Sequence, residues 1–73
     1  MFDEKKFRAA LVLKGISLSE VAKAMGINVV TLYRKMSGES DFYRNEIQKF
    51  CELTGIENPS DIFFADELAQ TQE

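Results

Sequence analysis

Seventy-three residues make one domain, and a chain this short buries only about 60% of its unfolded surface, so its core has to be economical. A composition of 45% hydrophobic and 29% charged residues, with a net charge of −3, is ordinary for a globular chain and unlike a disordered one. The absence of histidine, with one cysteine (Cys51) and one proline (Pro59), excludes Cys/His zinc sites, Ser-His-Asp or Cys-His catalysis and any intramolecular disulfide.

The punctuation predicts short helices and no strand. The first runs from about Asp3 to Lys14, with Asp3 and Glu4 at its positive end and Gly15 as its stop. Phe7, Ala10, Leu11 and the stem of Lys14 repeat at i, i+3, i+4 and i+7 and form its inner face. Ser17-Leu18-Ser19-Glu20 reads as a capping box opening a second helix, which buries Leu18, Val21, Ala22 and Met25 and stops at Gly26. After a three-residue link, Asn28 caps a third helix from Val29 to about Met36, closed by Ser37-Gly38. Val29-Val30-Thr31 has strand propensity, but the run is too short, and the cap and the Leu32/Met36 spacing are helical.

A fourth helix follows from about Arg44 to Thr54, with Ile47, Phe50, Cys51 and Thr54 on its inner stripe, Leu53 also in the core and Gly55 closing it. A short fifth helix starts at Asn58-Pro59-Ser60-Asp61, with Asn58 as cap and Asp61 completing the box. Of Phe63 and Phe64, one has to face outward from so short a helix. The expected organisation is an all-α five-helix domain over residues 1–64, with a helix-turn-helix at about 17–37 and a flexible acidic tail over 65–73.

The net charge hides an asymmetry. Residues 1–38 carry seven cations against three carboxylates, a net +4, and residues 39–73 carry two against nine, a net −7. A basic half keeps a polyanion partner in view although the whole chain is acidic. No apolar run approaches the ~18 residues of a membrane span, and Asp3-Glu4-Lys5-Lys6 is unlike a signal peptide. A lone thiol fits a reducing cytoplasm. No titratable groups converge, so neither an enzyme nor a cofactor nor a small-molecule substrate is expected.

Gly15-Ile16-Ser17-Leu18-Ser19-Glu20-Val21-Ala22-Lys23-Ala24-Met25-Gly26-Ile27-Asn28, then Leu32 and Ser37-Gly38, resembles the Cro/CI-type (Xre) helix-turn-helix family across residues 5–64. Gly38-x-Ser40-x-Phe42-x-x-x-Glu46-Ile47 and Pro59-Ser60-Asp61-Ile62-Phe63-Phe64 are similar to small proteins of Gram-positive phage lysogeny switches. The resemblance implies a lambda-repressor-like fold acting on operator DNA in a bacterial host, with the third helix in the major groove. Its readers would be Val29, Val30, Tyr33 and Arg34, of which Arg34 suits a bidentate contact to guanine. Lys35, Thr31, Ser17 and Ser19 would contact phosphates.

Three departures bear on that expectation. Leu18 stands where relatives usually carry a glutamine on the DNA backbone, and Glu39 and Asp41 put two carboxylates where relatives are often basic. Leu11 and Met36 replace a buried arginine–glutamate pair, an exchange that leaves no orphan charge. Val29, Val30, Leu18 and Tyr33 make an apolar recognition surface, and such a patch also suits a protein. Two mechanisms therefore stay open. A dimer binds operator DNA, or the same face, with Glu39 and Asp41, binds the DNA-reading face of a partner repressor as a modulator or antirepressor.

Overall fold

The computed structural model describes residues 2–65, so the expected acidic tail lies outside the described residues from Asp66 onward. Five helices follow one another: α1 (Glu4–Lys14), α2 (Leu18–Met25), α3 (Val29–Met36), α4 (Arg44–Thr54) and α5 (Ser60–Phe63). No strand occurs among the described residues, and none of these helices is long and apolar enough to cross a membrane.

The helix ends follow the local chemistry of the sequence. Asp3 caps α1 by accepting from Lys6 N–H at 3.1 Å. In the box at α2, Ser17 Oγ accepts from Glu20 N–H at 3.1 Å and Glu20 Oε1 accepts from Ser17 N–H at 3.3 Å. Gly15 and Gly26 adopt left-handed φ values of 67° and 78°, where a side chain is strained. That twist lets Ile16 N–H reach back to Leu11 C=O at 2.9 Å and Ile27 N–H to Ala22 C=O at 3.0 Å, while both isoleucines pack on the core.

α2 packs on α3 and α4, and α1 on α4 and α5. The centre is aromatic: the Phe7 ring stacks on Phe50 at 4.7 Å between centroids, and Phe63 meets Phe50 edge-on at 5.4 Å. Asp3 N–H donates to Ile62 C=O at 2.7 Å and ties the start of α1 to α5. Phe63 is buried and Phe64 exposed, as the length of α5 requires.

Three details differ from expectation. Lys14 is exposed rather than lying on the inner face of α1. The buried stripe of α4 is Glu46, Phe50 and Thr54, with Ile47 and Cys51 half-buried beside it and Leu53 exposed at its edge. Asn58 Oδ1 accepts from Ser60 N–H at 3.1 Å, but Asp61 makes no box and instead lies 3.9 Å from Lys6 Nζ. Val12 and Leu13 point outward from α1, off the Phe7/Leu11 stripe as its spacing requires, with Leu13 85% exposed.

Candidate nucleic-acid interface

The helix-turn-helix is built by its caps. Asn28 Oδ1 accepts from Thr31 N–H at 2.8 Å and its carbonyl accepts from Leu32 N–H at 3.0 Å, which starts α3 after a three-residue link from α2. Ala22 is buried between the helices, and Leu32 is fully buried and fixes the rotation of α3. With Leu32 inward, helical geometry turns Val30, Tyr33 and Arg34 outward together, at i, i+3 and i+4. Val30 is 58% and Tyr33 47% exposed, and Arg34 is exposed and forms no ion pair among the described residues.

These three side chains line an open groove of about 450 Å³ with Met36, Ser37, Glu39 and Glu4 from the start of α1. The Arg34 carbonyl is doubly occupied, accepting from Ser37 Oγ at 3.0 Å and from Glu39 N–H at 2.9 Å. Glu39 is thereby anchored at the end of α3, where it lines the groove. Glu4, at the other rim, is paired with Arg8 at 2.8 Å. Among the described residues, the surface therefore offers one cation outside any ion pair, an aromatic ring with a hydroxyl, an aliphatic patch and a carboxylate.

The other residues picked out from the sequence divide in two. Thr31 is half-buried, and Ser17 and Ser19 are exposed at the start of α2, where hydroxyls and helix N–H groups suit a phosphate. Asp41 is exposed. Leu18 and Val29 are half-buried against the core, so they contribute less to the outer surface than their spacing implied.

Lys35 requires a correction. It is buried, 4% exposed, with Nζ 3.0 Å from Glu46 Oε1 and 2.9 Å from the Asp41 carbonyl oxygen it donates to. The same ammonium lies 3.9 Å from the centroid of the Tyr43 ring. A side chain so engaged is not free for a phosphate. Its position three residues after Leu32 puts it on the inward side of α3, whereas Arg34 is turned away.

Glu46, at 3% exposed, enters the sequence reading only as part of a motif and was given no role there. It also accepts from Tyr43 N–H at 2.7 Å, satisfying the first turn of α4. The signal was an acidic residue four before Phe50 on the inner stripe of α4, matched by a basic one beside Met36 on α3. Cys51 is half-buried, and burial raises its thiol above the ordinary value, which disfavours the reactive thiolate.

No curated protein and no solved structure matches this sequence. Residues 6–66, which contain all five helices but for the first two positions of α1, match the family described as the Cro/C1-type HTH DNA-binding domain. With a capped two-helix motif at the centre and a third helix presenting one outward face, the chain belongs to the Cro/C1-type helix-turn-helix DNA-binding family.

Proposed function

We propose that this domain is a phage- or prophage-type transcriptional regulator that binds operator DNA through α3 in a lysogeny–lysis switch, in the cytoplasm of a bacterial host. The observation that carries the reading is the outward set Val30, Tyr33 and Arg34 on the third helix of a family DNA-binding domain. Arg34 supplies the bidentate guanine contact, Val30 packs on a thymine methyl and Tyr33 donates to a phosphate or base edge. Ser17, Ser19 and Thr31 hold the backbone. A homodimer on a two-fold operator would set two such helices one turn of DNA apart.

A second reading draws support from the groove beside α3. Its aliphatic and aromatic wall and its Glu39 rim complement a protein surface carrying basic residues, as the DNA-reading face of a partner repressor does. In that reading the domain is a modulator that occupies the partner and not the operator.

Selection of the purified protein against random duplexes at low salt separates the two. Enrichment of palindromic sites supports the operator reading, and Arg34→Ala then costs about 1–3 kcal/mol of discrimination at one base position. No enrichment from a folded helical protein overturns it. The partner reading predicts that Val30→Asp abolishes capture of the repressor. Val30 suits that test better than Val29, because Val29 also packs on the core.

A further inference from the structure

Lys35 and Glu46 are among the most deeply buried side chains of the domain, and both are charged. A matched pair of aliphatic side chains would stabilise such a site as well or better, so stability alone does not account for them. Their remaining bonds show where they act. Lys35 Nζ donates to the Asp41 carbonyl at 2.9 Å, and Glu46 Oε1 accepts from Tyr43 N–H at 2.7 Å. One bond thus falls on each side of Phe42.

The segment between α3 and α4 carries Glu39 and Asp41, both exposed, the carboxylates that the DNA-binding reading sets beside a phosphate backbone. Its first half is fixed by α3 itself, through Glu39 N–H on the Arg34 carbonyl at 2.9 Å. Among the described residues, no backbone N–H of residues 40–42 donates to another backbone carbonyl. Phe42 packs on the aromatic core, an apolar contact that leaves the orientation of the neighbouring peptides to the polar anchors.

We propose that the Lys35–Glu46 pair is a positioning device for DNA recognition, locking Asp41 in place beyond the end of α3 so that the acidic turn acts as a fixed filter against non-specific phosphate binding. The inference rests on the DNA-binding reading above. Lys35 touches no DNA in this scheme; it acts through Asp41.

The test is a set of variants in two backgrounds, the wild type and Lys35→Met/Glu46→Gln. The glutamine keeps an acceptor for Tyr43 N–H, and the double change leaves no buried charge. In the wild type, Asp41→Asn tightens binding to a duplex of unrelated sequence roughly two- to fivefold at low salt, the size of one exposed charge interaction. In the clamp-free background that gain disappears, while the gain from Glu39→Gln persists because α3 anchors Glu39. An equal Asp41→Asn gain in both backgrounds overturns the proposal.

A second readout needs no DNA. Backbone 15N order parameters at Ser40 and Asp41 should lie near ~0.85 in the wild type and fall below ~0.6 without the clamp. Unchanged values on removing the clamp, or low values already in the wild type, overturn the positioning role. The wild-type measurement decides the matter if the double variant does not fold. If no duplex binds at all, the DNA-binding reading falls, and the order parameters alone judge the clamp.

Discussion

Arg34 and Lys35 are adjacent, carry the same charge and stand in the last turn of the same helix, where cations complement the macrodipole. From sequence both look like solvated or phosphate-binding side chains. The hundred-degree step between them sends one into the groove and the other into the interior, where Glu46 receives it. Removing Lys35 would leave the Glu46 carboxylate buried without its counter-charge. Lys35→Ala should therefore destabilise the domain by about 3–5 kcal/mol in urea unfolding, while Arg34→Ala should change stability by less than about 0.5 kcal/mol. Equal losses for the two would show that the Lys35–Glu46 pair is solvated in solution. The sequence does carry a trace of the pair: one acidic and one basic residue, each on the apolar stripe of its own helix. Periodicity can flag such positions singly, but it cannot say that α3 and α4 bring them together.

The helices themselves were legible because their ends are written in local chemistry. Ser17 with Glu20, Asn28 before a helical spacing, and glycines after Lys14, Met25 and Thr54 mark boundaries through bonds that span three to five residues. Gly26 illustrates the cost of altering one. A methyl group at that position would meet nothing within 4 Å, so any penalty comes from its φ of 78° alone. Gly26→Ala should lower stability by about 1–2 kcal/mol without a packing defect, measured by urea unfolding, and Ser17→Ala at the other end of α2 by about 1 kcal/mol. A larger loss for Gly26→Ala would mean that the turn is more tightly enclosed than the open space around it implies. What the sequence left obscure was rotation. The stripe of α4 is centred on Glu46, Phe50 and Thr54 rather than on Ile47 and Cys51, because a carboxylate with two donors can occupy an inward position that a hydrophobicity pattern assigns to an apolar residue. Leu53 shifts to the edge for the same reason.

At the scale of the whole molecule, the contrast between a basic first half and an acidic second half becomes weaker around α3 than the sequence suggests. The helix-turn-helix carries three cations, Lys23, Arg34 and Lys35, but burial of Lys35 leaves two at the surface, with Glu39 beside one of them. Affinity for duplex DNA falls with salt in proportion to the phosphates that cations neutralise, with a log–log slope of about −0.9 for each. Two exposed cations therefore cap the slope near −2 per domain, and it falls to about −1 where Arg34 reads a base and only Lys23 meets a phosphate, a shallow dependence that leaves most of the binding free energy to hydrogen bonds and apolar contacts from Val30, Tyr33 and Arg34. Anisotropy titrations of a selected duplex across salt concentrations give that slope directly. A slope steeper than about −4 per domain would mean that the Lys5, Lys6 and Arg8 cluster of α1 also lies on the backbone, placing α1 and not only α2 and α3 against the DNA.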